Sequence, residues 1–386
     1  MNILFALIPE KGHVNPCVGP AQALAARGHR VVVAAPGDIG EQCAAAGLTF
    51  IDGLLPRLPS ERPTHGAALV ALIQDPPRLA LWIEQLLLGG FAPQVELVRQ
   101  CIQRVAADVV VIDPLYYPAA LAAHSLNVPW ASVSNSLNPV LPPRLESVLL
   151  QTLRGLAPRR ASLFAGYGLH ASFSGADVLS PFLNIAFTTE ALCGAVPGVE
   201  LVGPSFPLHR RGDEVPLLPL PPGRPIVYAS FGSQIYHWPE IFSKLRAAAQ
   251  SLNVFLVLAA GDLADTLAPD SNCHVYRYAP QREILSYAQV FVTHGGANSF
   301  MESIAAAVPM LLSPMCNDQF HQAYFLNRAG IGVHADLREM TVQEIARALA
   351  ALLADGPQRQ AVTRLARSYQ GNGALLAAAR IERLGR

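Results

Sequence analysis

Within residues 278–319 an apolar run of strand type (290–293) is followed by the turn His294-Gly295-Gly296 and by a helical pattern that opens at Asn298 and carries Glu302. That order suits a pyrophosphate. The first turn of a helix holds unpaired N–H groups and a partial positive charge, and glycines let the backbone approach phosphate oxygens closely. Asn298 and Ser299 are expected to cap the helix, and Glu302 to accept from both hydroxyls of a ribose. An ordinary N-cap with a solvated glutamate is the plainer reading of a lone glycine pair; the downstream Asp318-Gln319 pair argues for the nucleotide-sugar reading.

A second group lies near the N-terminus. In E10-K-G-H-V-N-P, His13 falls in a loop (9–16) after the first expected strand, ahead of a helix over 17–27. Imidazole is the side chain whose ordinary pKa suits a base near neutral pH. Asp113, at the end of the apolar run V109-V-V-I, is the carboxylate that could fix its tautomer and stabilise the imidazolium. By residue type alone, His13 is equally an ordinary loop histidine and Asp113 a turn or cap residue.

The elements that must position these groups alternate. Strands are expected at 2–8, 30–35, 49–51, 109–112 and 130–133, with helices between and a long helical insertion after the third. A second alternation has strands near 226–230, 254–258, 274–276, 290–293 and 310–312. The expectation is an N-terminal domain over 1–205, a Pro-rich exposed linker over 206–225 and a C-terminal domain over 226–369, with a terminal helix (370–386) packing back on either. Open parallel α/β sheets bind ligands beyond the carboxyl ends of their strands, so the loops after strands carry the search.

Composition agrees with two cores in 386 residues: 51% of residues are hydrophobic and 15% charged. Lys plus Arg equals Asp plus Glu at 28 each, which gives no electrostatic argument for nucleic acid or an anionic membrane surface. The six cysteines have no C-x-x-C spacing, which fits reduced thiols, a cytoplasmic location and no zinc site. The N-terminal run has no basic leader, and Asp75, Pro76, Pro77, Arg78 and Glu84 interrupt the apolar stretch 67–91, so neither export nor an integral membrane segment is expected.

With these features together, the chain resembles the UDP-glycosyltransferase superfamily of GT-B fold, particularly its bacterial natural-product members. The family's W-x-P-Q, H-x-G-x-N-S-x-x-E and D-Q elements stand here as Y278-A-P-Q, H294-G-G-A-N-S-F-M-E and D318-Q. The resemblance implies two Rossmann-like doubly wound domains facing a central cleft. It implies base stacking by Tyr278 and nucleotide contacts from Ala279 and Gln281. The diphosphate would be bound by Ser233 (in S230-F-G-S), His294, Gly296, Asn298 and Ser299, the ribose diol by Glu302, and sugar hydroxyls by Asp318 and Gln319. Beside that signature His13 and Asp113 become base and partner.

The expected reaction is an inverting transfer of a hexose, glucose foremost, from a UDP-sugar co-substrate to a hydroxyl of a hydrophobic small molecule. No cofactor or metal is expected, since no D-x-D sequence is present. Trp82, Leu86, Phe91 and Leu149 are the acceptor-lining candidates, against the plainer reading that they form the insertion's own core. A dTDP-deoxysugar enzyme, a non-catalytic nucleotide-sugar-binding accessory protein and a lipid glycosyltransferase at a membrane are the competing readings.

Overall fold

The computed structural model describes residues 1–51 and 65–385. Residues 52–64, inside the expected first domain, and Arg386, at the end of the expected terminal helix, lie outside the described residues. The chain divides into two compact units: Met1–Glu61, Pro77–Asp213 and Gly371–Arg386 form the first, Arg62–Pro76 and Glu214–Gln370 the second.

In unit 1, β1 (Asn2–Ala6), β2 (Arg30–Ala34), β3 (Thr49–Phe50), β4 (Val109–Ile112) and β5 (Trp130–Ser134) are joined by helices, and β6 (Ser172–Ser174) and β7 (Asp177–Leu179) form an antiparallel hairpin. Two further strands, β8 (Leu183–Ala186) and β9 (Glu200–Leu201), complete a parallel sheet of order β3-β2-β1-β4-β5-β8-β9. Runs such as Val31-Val32-Val33 and Val109–Ile112 are buried on both faces, which is why they read as continuous rather than alternating apolar segments. The register pairs Ala6 with both Ala34 and Ile112, so the chain leaves β1 and β4 at the same level.

Unit 2 repeats the plan with β10 (Ile226–Ser230), β11 (Phe255–Ala259), β12 (Cys273–Tyr276), β13 (Ala288–Thr293), β14 (Met310–Leu312) and β15 (Gly332–His334), parallel in the order β12-β11-β10-β13-β14-β15. Ser230 pairs with Thr293, again levelling the carboxyl ends of the two central strands. In each sheet the order reverses between the first and fourth strands, the switch point where this kind of sheet binds ligands.

Two boundaries differ from expectation. Residues 65–76, assigned by position to the N-terminal domain, group with unit 2: Gly66 N donates to Gln234 O at 2.7 Å, at the start of the helix Gly66–Ile73. The first part of the Pro-rich segment is not a free linker either. Gln22 reaches Arg210 O at 2.7 Å and accepts from Leu208 N at 2.8 Å, while Asp213, 5% exposed, meets Arg211 Nε at 2.6 Å and Lys11 Nζ at 3.4 Å. Gly371–Arg386, with the helix Gly373–Leu384, belongs to unit 1.

The helix Lys11–Ala26 starts six residues before its expected start and contains both Pro16 and Pro20. Proline lacks the N–H that should bond four residues back, so Pro20 strands the Pro16 carbonyl. Ser205 Oγ donates to that oxygen at 2.6 Å, which removes the penalty of a buried unpaired acceptor. Among the described residues no helix is long and apolar enough to cross a membrane. All six cysteines are free thiols.

Candidate active site

The early helix start moves His13 out of its expected loop and into the first turn, with Glu10 as N-cap residue. Asp113 follows β4 and its backbone N donates to Ala6 O at 3.0 Å, which seats it beside the end of β1. The two side chains meet: His13 Nδ1 lies 2.6 Å from Asp113 Oδ2. Asp113 is 1% exposed and its other oxygen accepts from Leu115 N at 2.9 Å, so the carboxylate is fixed while the imidazole stays 18% exposed. The far nitrogen, Nε2, has Glu10 Oε2 at 3.7 Å, beyond hydrogen-bonding distance. An Nδ1–H donated to Asp113 puts the ring's lone pair on Nε2, the tautomer a base requires.

Sequence reasoning missed a third member. Asn135, directly after β5, places its amide nitrogen 2.6 Å from His13 Nδ1 and 2.9 Å from Asp113 Oδ2. Its position just beyond a strand's carboxyl end was the available signal, but asparagine there reads as a turn residue.

In unit 2, β10 leads into Phe231-Gly232-Ser233 and β13 into His294-Gly295-Gly296. Gly232 and Gly295 have φ of +79° and +86°, a region that favours glycine. The His294 imidazole fills the space that side chains at 232 and 296 would need: a Cβ on Gly232 would lie 2.8 Å from the ring and one on Gly296 2.6 Å. Burial lowers the His294 pKa to about 4, with Asp318 and a Ser230 backbone bond only partly opposing. The ring is therefore neutral at physiological pH, and its buried Nδ1 has no hydrogen-bond partner.

The helix Ala297–Ala305 is capped by Gly296 rather than by Asn298 or Ser299, which sit in its first turn. Ser299 is buried and Asn298 half-buried. Glu302, 6% exposed, accepts from Gln281 Nε2 at 2.7 Å, and the same amide nitrogen reaches Ser299 Oγ at 3.2 Å. Tyr228, stacked on Phe291 with centroids 4.8 Å apart, donates to Gln281 Oε1 at 3.3 Å. Gln281 thus orients Glu302, a part not read from its sequence position.

Tyr278 is half-buried, Ala279 buried and Ser233 exposed on the loop after β10. Asp318 is the N-cap residue of the helix Gln319–Ala329 and accepts from Gln322 Nε2 at 2.9 Å. Gln319 is 7% exposed and its Oε1 accepts from Met315 N at 2.8 Å and Cys316 N at 3.1 Å. Its carbonyl braces the preceding loop, at the position where the resemblance implies a partner for sugar hydroxyls.

Of the four acceptor candidates, Phe91 is a packing residue. Its ring lies 6.5 Å from those of Tyr117 and Phe164, within a cluster completed by Phe173 and by Arg160, whose guanidinium lies 3.8 Å over Phe173. Trp82 and Leu149 pack partly buried against that core, and Leu86 is half-buried. The insertion's apolar residues thus contribute to its own core.

Solved structures share this architecture. The glycotransferase of kitacinnamycin superposes with a TM-score of 0.76 at 22% identity, covering 100% of this chain and 99% of that one. The Streptomyces sp. SF2575 glycosyltransferase complexed with thymidine diphosphate gives 0.69 at 23%, covering 99% of each. Two α/β units with parallel sheets in this order define the GT-B fold.

In sequence, the NDP-glycosyltransferase YjiC of Bacillus subtilis (strain 168) is 27% identical over 97% of this chain and 95% of its own length. The zeaxanthin glucosyltransferase of Pantoea ananas is 26% identical over 98% and 94%. Residues 222–372 match the family described as UDP-glucoronosyl and UDP-glucosyl transferase. The chain is a sugar-transferring enzyme, a glycosyltransferase of GT-B fold.

Proposed function

We propose that the enzyme moves a hexose, glucose foremost, from a UDP-sugar to a hydroxyl of a hydrophobic small molecule with inversion at the anomeric carbon. His13 Nε2 takes the proton of the acceptor hydroxyl as that oxygen forms its bond to C1. The bond from C1 to the β-phosphate oxygen breaks, and its electron pair leaves with UDP. Asp113 holds the Nδ1 proton and stabilises the imidazolium. One direct displacement turns an α-linked donor into a β-glycoside.

Negative charge developing on the β-phosphate is met by the N-terminal N–H groups of the helix Ala297–Ala305 with Ser299, and no metal is required for that. Glu302 reads the ribose diol, which favours UDP over dTDP because a deoxyribose leaves half of that partnership unmade. The apolar acceptor is supported by the half-buried Trp82, Leu86 and Leu149 on the insertion, and the glucosyltransferase relative named for zeaxanthin points the same way.

The single observation that carries catalysis over mere binding is the 2.6 Å contact between His13 Nδ1 and buried Asp113. UDP release from UDP-glucose with a panel of hydroxylated aglycones tests it. His13→Ala is expected to lower kcat by about a hundredfold or more while UDP affinity is kept; a fully active His13→Ala protein removes the proposed base.

A dTDP-deoxysugar donor is the second reading, favoured by the thymidine diphosphate bound in the SF2575 enzyme. Donor-dependent thermal protection by UDP- and dTDP-sugars separates the two. Stronger protection by the dTDP series would displace the UDP assignment.

A further inference from the structure

Asp318 is an N-cap residue whose carboxylate makes no bond to the first turn of the helix Gln319–Ala329, although aspartate is among the residues best suited to that task. The carboxylate is held from further along the helix instead. Gln322 Nε2 donates to Asp318 Oδ2 at 2.9 Å, and among the described residues no other group hydrogen-bonds that carboxylate. Asp318 is half-buried, and it lies close enough to the glycine turn for its charge to oppose the burial-driven fall of the His294 pKa.

Gln322 itself sits in an unfavourable place. It is 0% exposed, and its Oε1 is buried with no hydrogen-bond partner among the described residues. A buried amide with one end unpaired is worse for stability than an apolar side chain of the same size. Turning the amide over does not help, because Oε1 would then face the Asp318 carboxylate and two acceptors would repel. The loop ahead of the helix has supports of its own: Gln319 Oε1 accepts from Met315 N and Cys316 N, and Ser313 Oγ accepts from Leu337 N at 3.1 Å. What Gln322 adds is the orientation of one carboxylate.

We propose that Gln322 is a positioning residue for donor-sugar recognition: its amide fixes Asp318 Oδ2, so that Oδ1 is presented to a hydroxyl of the hexose. The inference rests on the reading of Asp318 as a partner of the sugar in a UDP-hexose donor. Nucleotide binding uses other groups, the glycine turn, Ser299 and Glu302, so Gln322 acts on the sugar and leaves the UDP moiety alone.

The test uses Gln322→Met, which keeps the volume and removes the donor N–H. KM is measured for UDP-glucose and UDP-galactose, together with UDP affinity and Tm. KM for the better hexose donor is expected to rise about tenfold with kcat lowered less, and the preference between the two donors to narrow, while UDP affinity is kept. Tm should stay level or rise, since a buried unpaired acceptor is lost with the amide. In an Asp318→Asn background Gln322→Met should add no further loss. Gln322→Leu carries the same test should methionine not be accommodated. Equal weakening of UDP and UDP-hexose with a lowered Tm overturns the proposal and makes Gln322 a packing residue, as does a full additional loss in the double variant. Unaltered donor KM in Asp318→Asn removes Asp318 as sugar partner and this inference with it, leaving the base untouched. A raised KM in Asp318→Asn beside wild-type kinetics for Gln322→Met removes this inference alone. A wild-type enzyme that turns over neither UDP-hexose removes the hexose reading and this inference together.

Discussion

Gln281 Nε2 donates to Glu302 Oε2 at 2.7 Å, and Gln281 is itself oriented by the hydroxyl of Tyr228 at 3.3 Å. A buried carboxylate is thus aimed by an amide that a stacked aromatic pair holds in place. Glu302→Ala should cost UDP about tenfold to a hundredfold in affinity, since hydrogen bonds to a charged group contribute about 1.5–3 kcal/mol. dTDP, with one fewer hydroxyl to lose, should suffer less, so the ratio of the two affinities should collapse toward one. Titration calorimetry with both nucleotides measures this. Equal losses for the two would remove the ribose-reading role.

His294 is buried and its pKa is lowered to about 4, against about 6.5 in the unfolded chain. Between these values the unfolded state binds more protons, so this residue's share of stability is present above pH 6.5 and is lost as pH falls toward 4. The loss is on the order of 3 kcal/mol. His321, whose pKa burial also lowers, acts in the same direction. Melting curves should therefore fall on acidification, and His294→Gln should reduce the slope without abolishing it. An unchanged slope would show that His294 is not titrating in this window.

Gly232→Ala should damage both stability and donor binding. The left-handed backbone at φ +79° costs a side chain about 1–2 kcal/mol, and the new Cβ would lie 2.8 Å from the His294 ring. A lowered Tm together with weakened UDP protection is the expected result, and Gly28→Ala serves as control: the same φ region at +84°, with nothing within 4 Å. Backbone strain alone would make the two variants alike.

Ser205→Ala strands the Pro16 carbonyl and should cost about 1–3 kcal/mol, read as a lowered Tm. Pro20→Ala restores the helical N–H that proline lacks, so in the double variant the Ser205→Ala penalty should shrink. Strictly additive effects would sever the link between Ser205 and Pro20.

The two alternations of strand and helix were legible because parallel strands buried on both faces leave long Val, Ile and Leu runs that glycine and polar loops punctuate. The donor signature was legible for a similar reason: strand 288–293, glycine turn and helix 297–305 are contiguous, so spacing alone orders them. The short strands β8, β9 and β15, two to four residues each, give no period to detect. Pro16 hid the start of the first helix, because a proline lacks the helical N–H and reads as a stop from sequence.

Residue types and their local spacing determined on their own that this chain holds two parallel α/β sheets, a glycine turn before a helix start and a histidine and an aspartate each just beyond a strand. Only the tertiary structure decided that His13 and Asp113, a hundred residues apart, come within 2.6 Å, that Asn135 joins them and that Gln281 serves Glu302. Periodicity is a local property of the chain. Which side chains converge is set by strand order and register, through hydrogen bonds between segments whose sequences carry no mark of one another.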